Sequence, residues 1–335
     1  MMQHSQLTTL HAVALILDTL CQDDIRPETL LAGSGIKPAD LQRSDMRISI
    51  AQERQVFRNA TGLRQDLGLL LGRRLHVSSY GLLGFSLLSA ATLGEALEVA
   101  FSFPALLGTL FELRLHRDGD FAWIEASQYR DAPELLTFNA ELCIASLKLI
   151  CDDLLGRALP LHAARFTHRA PRYQRQYARD FGCPVQFNAA DNAIVFEAQW
   201  LDRRLPLADP VTHRDTLERC RQLNHEFISH QALINRVRQL LVAHLPASPG
   251  LDGVARQLRC SSRTLRRQLQ EVGTSYQGLL DELRFEQARR LLGEERLPIA
   301  HIAEALGYSE TASFRHAFQR WSGTSPSRYR RPALA

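Results

Sequence analysis

Arginine side chains recur at helical spacing in two short stretches. One is RCSSRTLRRQLQEVGTS (259–275), which carries Arg263, Thr264, Arg266 and Arg267. The other is GYSETASFRHAFQRWSGTSPSRYR (307–330), which carries Thr311, Ala312, Ser313, Arg315 and His316. A guanidinium is a planar fork of donors that fits guanine O6 and N7, Gln fits adenine, and a methyl such as that of Ala312 can touch thymine. Serine hydroxyls, helix N-termini and terminal basic side chains hold phosphate oxygens instead. These nine residues are therefore candidate base readers. Ser261, Ser309, Arg328, Tyr329 and Arg330 are candidate phosphate contacts.

Catalytic chemistry finds little support. HEFISH (225–230) is one residue too long for the zinc-binding HExxH pattern, which puts its two histidines on different helix faces. There is no HxH pair, no GxSxG elbow and no Gly-rich phosphate loop. The six cysteines, Cys21, Cys143, Cys151, Cys183, Cys220 and Cys260, form no CxxC pair or zinc spacing. They are expected as free thiols, with Cys143 and Cys151 inert on an apolar helix and only Cys260 in a basic turn. The expectation is no catalytic residue, no metal and no cofactor.

The arginine stretches need scaffolds, and the scaffolds repeat. Val254-Ala255-x-x-Leu258 aligns with Ile302-Ala303-x-x-Leu306 at an offset of 48. Leu265 and Leu269 match Phe314 and Phe318 at 49, and Gly273-Thr274-Ser275 matches Gly323-Thr324-Ser325 at 50. Each copy reads as a short helix, a tight turn and a second helix, the helix-turn-helix pattern. The units span 251–272 and 299–322. Ser261 and Ser309 are expected to cap the second helix of each unit. At about 100° per residue, Arg263, Arg267 and Gln270 fall opposite Leu265 and Leu269, with Arg266 on the flank. Phe314, Phe318 and Trp321 cluster on one side, as core, and Ala312, His316 and Gln319 point away. Gly253, inside the first helix, should cost about 1 kcal/mol against Ala.

The remaining 230 or so residues read differently, at a length that suggests a second domain. Hydrophobic content of 45% and charged content of 23% fit a soluble globular chain. No membrane span and no signal peptide are read, so the cytoplasm is expected. Residues 233–335 hold 16 Arg and no Lys against 9 Asp and Glu, a net of +7 that leaves −3 for residues 1–232. A basic C-terminal third points to a polyanion such as double-stranded DNA. Lysine occurs only at Lys37 and Lys148, so the preference for Arg by itself carries little. Leu10, Val13, Ala14, Leu17 and Leu20 recur as in a helix that Asp23–Pro27 ends. FELRLHRDGDFAWIEA (111–126) alternates about Asp118-Gly119, a hairpin signal. ARFTH (164–168) and AIVFEA (193–198) read as strands, and 141–156 as a helix ended by Gly156. The reading is an α+β domain over 1–210, a linker or dimerisation helix over 211–232, and an all-α domain over 233–331.

LRFEQARRLL (283–292), SSRTLRRQLQEVGTS (261–275) and IAHIAEALGYSETASFRHAFQRWSGTSPSRYR (299–330) resemble the AraC/XylS family of bacterial transcription regulators. The resemblance implies two helix-turn-helix units joined by a helix over about 276–293, with recognition helices over about 262–271 and 310–321 that read consecutive major-groove turns. GLLGFSLLSAATLGEALEVAFSFPALLG (81–108) and 171–210 are similar to the arabinose-binding-like sensor domain of one branch of that family. That likeness implies a sensor for a small-molecule effector or a partner, in an activator or repressor of a metabolic or adaptive operon that works with RNA polymerase, as a monomer or a homodimer. Tyr80, Phe101, Phe111 and Trp123 are candidate effector-pocket residues. Two other readings stand beside this one: control by a protein partner or by concentration, and an N-terminal enzyme fused to a DNA anchor.

Overall fold

Asp118 and Gly119 turn the chain as the alternation predicts. Gly119 takes φ +55°, in the left-handed region that glycine tolerates. The flanking strands pair antiparallel, from Glu112 opposite Ser127 to Asp118 opposite Phe121. This hairpin belongs to a computed structural model that describes residues 7–9, 11–22, 25–42, 47–293 and 297–330. Leu10, Asp23 and the limit drawn at 331 lie outside the described residues.

In chain order the elements begin with strand β1 (Leu7–Thr9), helices α1 (His11–Cys21) and α2 (Pro27–Leu31), and strand β2 (Arg47–Ser49). Helices α3 (Ile50–Leu63), α4 (Leu67–Gly72), α5 (Gly81–Leu88), α6 (Leu93–Ser102) and α7 (Pro104–Leu107) follow. Then come β3 (Glu112–Asp118), β4 (Phe121–Ser127), α8 (Leu136–Leu155), β5 (Leu161–Arg165), α9 (Gln174–Phe181), β6 (Val185–Gln186) and β7 (Asn192–Glu197). The rest is helical: α10 (Pro210–Ala243), α11 (Leu251–Gln257), α12 (Ser262–Glu271), α13 (Tyr276–Gly293), α14 (Ile299–Ala305), α15 (Thr311–Ser322) and α16 (Pro326–Arg330). No helix among the described residues is long and apolar enough to cross a membrane.

Residues 60–227 form one compact unit. Its sheet runs β3-β4-β7-β5-β6, antiparallel except for the β5–β6 edge. Ile124, Ile194 and Phe196 are fully buried, and with Ile144 of α8 they belong to one apolar core. Gly68 and Gly72, one turn apart on α4, let that helix lie against α8. A Cβ at Gly68 would sit 2.5 Å from the Phe138 carbonyl, and one at Gly72 2.5 Å from Ala145 Cβ. Gly156, at φ +64°, ends α8 as expected. The expected strand 164–168 is observed three residues earlier, as β5. Its register against β7, Leu161 opposite Phe196 and Arg165 opposite Ala193, fixes where it ends. Phe166 still donates its N–H to the Gln186 carbonyl of β6 but lies past the last pair with β7.

The described residues before 60 form the second unit with those from 228 onward. The family-like segment of the sensor therefore does not coincide with this compact unit. The helix read over 211–232 is part of a single 34-residue helix, α10. Pro210 starts it without interruption, because proline fits the first helical turn, whose N–H has no intrahelical acceptor. Val237 and Leu241 of α10 share a core with Leu265, Leu269, Phe314 and Phe318. Arg238 is buried among them and binds two carboxylates of α13, Glu282 at 3.3 Å and Glu286 at 2.8 Å. Gly253 has a packing reason as well as a propensity penalty. A Cβ there would lie 2.8 Å from Pro249 Cβ, so Ala does not recover the expected gain.

Candidate nucleic-acid interface

The first unit is built from α11, a turn and α12. The turn places Arg259 at φ +56°, a conformation that L residues with a Cβ rarely hold. Ser261 caps α12, its Oγ accepting from the Thr264 N–H at 3.1 Å. Ser262 Oγ donates to Asp252 and ties the start of α12 to α11. Leu265 and Leu269 are fully buried, while Arg263, Arg266, Arg267 and Gln270 are exposed. Thr264 is half-buried, and its hydroxyl lies 2.8 Å from Ser261 Oγ. Arg267 makes only a loose surface pair with Glu271 at 3.5 Å. Such a pair contributes little and leaves the guanidinium free to turn.

The second unit repeats the plan with two changes. Gly307, at φ +77°, occupies the place of Arg259 at the same offset of 48. A Cβ on it would fall 2.5 Å from the Pro246 carbonyl oxygen. The cap expected at Ser309 is displaced. The N-cap of α15 is Glu310, whose side chain makes no cap bond. The residue inserted between offsets 48 and 49 explains this, since Glu310 now stands where Ser261 stands in the first unit. Phe314, Ala317 and Phe318 are buried. Ala312, Ser313, Arg315 and His316 are exposed, and Thr311 is half-buried. Trp321 is the half-buried member of the aromatic group, 5.9 Å from Phe285 and 6.5 Å from Tyr308.

At the C-terminal end Arg328 is exposed. Tyr329 sets its ring edge on Phe318 at 5.3 Å and remains 38% exposed. The Arg330 guanidinium donates to the Leu297 carbonyl at 2.6 Å, which holds it partly in place. Sequence reasoning missed the left-handed Arg259 and the Arg238–Glu282–Glu286 cluster. The repeat alignment contained the signal for the first, because it sets Arg259 against a glycine.

The four aromatics of the expected effector pocket do not form one group. Phe111 is buried beside Tyr129 at 5.0 Å, and Tyr80 and Phe101 pack on the same core. Trp123 instead stacks on His116 across the hairpin, ring to ring at 4.8 Å. Burial pushes the Tyr80 phenol up to about 12. It does the same to the Cys143 and Cys151 thiols, which fits their inert reading.

A buried carboxyl stands out in the same unit. Glu141 on α8 has no exposed surface, and the Tyr173 and Tyr177 hydroxyls meet its Oε1. Tyr173 also lies 2.8 Å from the Gln65 carbonyl and has one hydrogen to give. If it gives that to Gln65, the 2.6 Å contact with Glu141 needs the carboxyl's own proton. Burial raises Glu141 from 4.5 to about 7, against the hydrogen bonds from the tyrosines. The folded state thus holds a proton that the unfolded chain releases at lower pH. Stability is expected to fall as pH rises from about 4.5 through 7. Glu141→Gln should match the parent at pH 4 and exceed it by up to about 3 kcal/mol at pH 8. Denaturant melts at both pH values check this, and a constant difference between the two proteins would refute it.

The arabinose-binding N-terminal domain of AraC transcription regulators matches residues 25–205, and a helix-turn-helix domain matches residues 254–332. The chain belongs to the AraC family: it is a DNA-binding transcriptional regulator with an arabinose-binding-like sensing domain. It is 33% identical over 317 residues to the ornithine utilization regulator of Pseudomonas aeruginosa, covering 94% of each chain. It is 32% identical over 277 residues to the regulator VqsM of the same organism, covering 78% of this chain and 83% of that one. The crystal structure of the transcriptional regulator CdpR from P. aeruginosa is similar over 96% of this chain and 98% of that one, with a TM-score of 0.50 and 28% identity. These relatives are transcriptional regulators.

Proposed function

We propose that α12 and α15 enter consecutive major-groove segments, about 34 Å apart, and that the exposed arginines of α12 dominate base readout. The observation that carries this is the two-faced build of each helix. Leu265 and Leu269, or Phe314 and Phe318, are fully buried, while Arg263, Arg266 and Arg267, or Arg315 and His316, stand exposed. Thr264, Thr311, Ala312 and Ser313 complete the reading faces. Ser261, Ser309, Arg328, Tyr329 and Arg330 hold phosphates, Arg330 after giving up its contact with Leu297.

A small-molecule effector sensed by the N-terminal domain sets the activity of this cytoplasmic protein, which works with RNA polymerase and as a homodimer. The name of the ornithine utilization regulator supports a metabolic operon as the target. Footprinting of the purified protein on fragmented DNA of its own source tests the reading. Discrete sites with two protected segments about one helical turn apart are expected. Salt-sensitive binding without sequence preference would reduce the C-terminal third to an electrostatic anchor.

A further inference from the structure

A cavity of about 580 Å³ lies inside the unit made by the residues before 60 and after 227. That is within the roughly 300–1,000 Å³ of small-molecule sites. Its walls come from the segment around Gly33–Gly35 and the start of α3 on one side, and from α13 and α15 on the other. Residues 278, 281, 282, 285, 286 and 289 of α13 all face it. This is the i, i+3, i+4, i+7 stripe of a single helix face.

Two unmet demands meet in that cavity. Glu282 and Glu286 share one cation, the buried Arg238, so the cluster carries a surplus carboxylate. Burial holds Glu282 up at about 7, as an acid without a full countercharge should behave. Arg289 lies over the Phe285 ring at 5.8 Å and has no carboxylate partner among the described residues. Phe285 and Trp321 add apolar wall between the two charged ends.

We propose that this cavity binds a zwitterionic amino-acid metabolite. Its ammonium sits against Glu282 and Glu286, its carboxylate against Arg289, and its carbon chain along Phe285 and Trp321. A single molecule then meets both demands, which neither a simple cation nor a simple anion does. Trp321 belongs to α15, so the ligand touches the recognition helix directly. That is a site separate from any effector pocket within residues 60–227. The inference rests on the regulator reading only for its effect on DNA.

The test uses the full-length chain and a panel of the standard amino acids plus L-ornithine, each at about 10 mM, a large excess over a micromolar Kd. Putrescine and propionate are the single-charge controls. At least one amino acid should raise the melting temperature and bind saturably by calorimetry, while the two controls should not. Glu282→Gln and Arg289→Gln should each weaken that binding by at least roughly tenfold. Arg289→Gln, which takes nothing from the buried Arg238, should melt as the parent does without ligand. Glu282→Gln removes a partner of Arg238, so its binding is compared at a temperature where both proteins are folded. Three results would overturn the proposal: no amino acid shifts the melting, putrescine or propionate binds equally well, or the variants bind unchanged. Footprinting without ligand reports on DNA recognition independently, so loss of one result leaves the other standing.

Discussion

Replacing Gly307 with alanine is expected to destabilise the protein by about 2–5 kcal/mol. A left-handed backbone costs an L residue about 1–2 kcal/mol. Overpacking typically adds about 1–3 kcal/mol. The overpacking here is severe, because the new Cβ would lie 2.5 Å from a backbone oxygen, that of Pro246, and backbone cannot swing aside as a long side chain can. Against a total stability of about 5–15 kcal/mol, this is a large fraction. Arg259 supplies the internal control. It holds the same backbone conformation, at φ +56°. Arg259→Gly should therefore stabilise by up to about 1 kcal/mol, the opposite sign at the equivalent position. Urea melts of the two variants decide it. Equal, small effects at both positions would mean the turn relaxes freely.

The second large effect concerns DNA. Arg263→Ala and Arg267→Ala should each lose about 1–3 kcal/mol on the cognate site and relax preference at one base position. They lie one turn apart on the exposed face of α12, with Leu265 and Leu269 buried behind them, so their loss should leave the fold intact. Arg328→Ala should act differently. A phosphate contact weakens all sequences alike and lowers the salt slope by about one counterion. Titration of specific and random duplexes at several salt concentrations separates these cases. If Arg263→Ala and Arg267→Ala leave base preference unchanged, α12 does not read the groove through this face.

Much of the second unit was legible because short helices with buried stripes impose their period on the sequence. The burial of Leu265, Leu269, Phe314 and Phe318 follows from that period, while the limits of α12 and α13 follow from the family resemblance. Elsewhere the deciding contacts are remote in sequence. The register with β7 places β5, which composition had put three residues later. Pro249 explains Gly253, which propensity could only score as a penalty. The continuity of α10 was hidden because its polar first half has no apolar stripe. The cavity combines side chains more than 200 positions apart, such as Gln52 and Arg289, and no local pattern announces such a meeting.

Glu310, at the head of α15, has a consequence for how a promoter would be held. In the first unit a neutral serine occupies that place; in the second a carboxylate does, on a helix end that would approach the phosphates. Its charge repels the polyanion where Ser261 would grip it. With Ala312 bringing no donor, readout there is left to Arg315 and His316, and the half-site under α15 would be the more tolerant contact. Promoters in the regulon should then keep a strict half-site for α12 and drift at the one for α15. Transcriptional strength could be graded across operons by that drift, with no change in the protein.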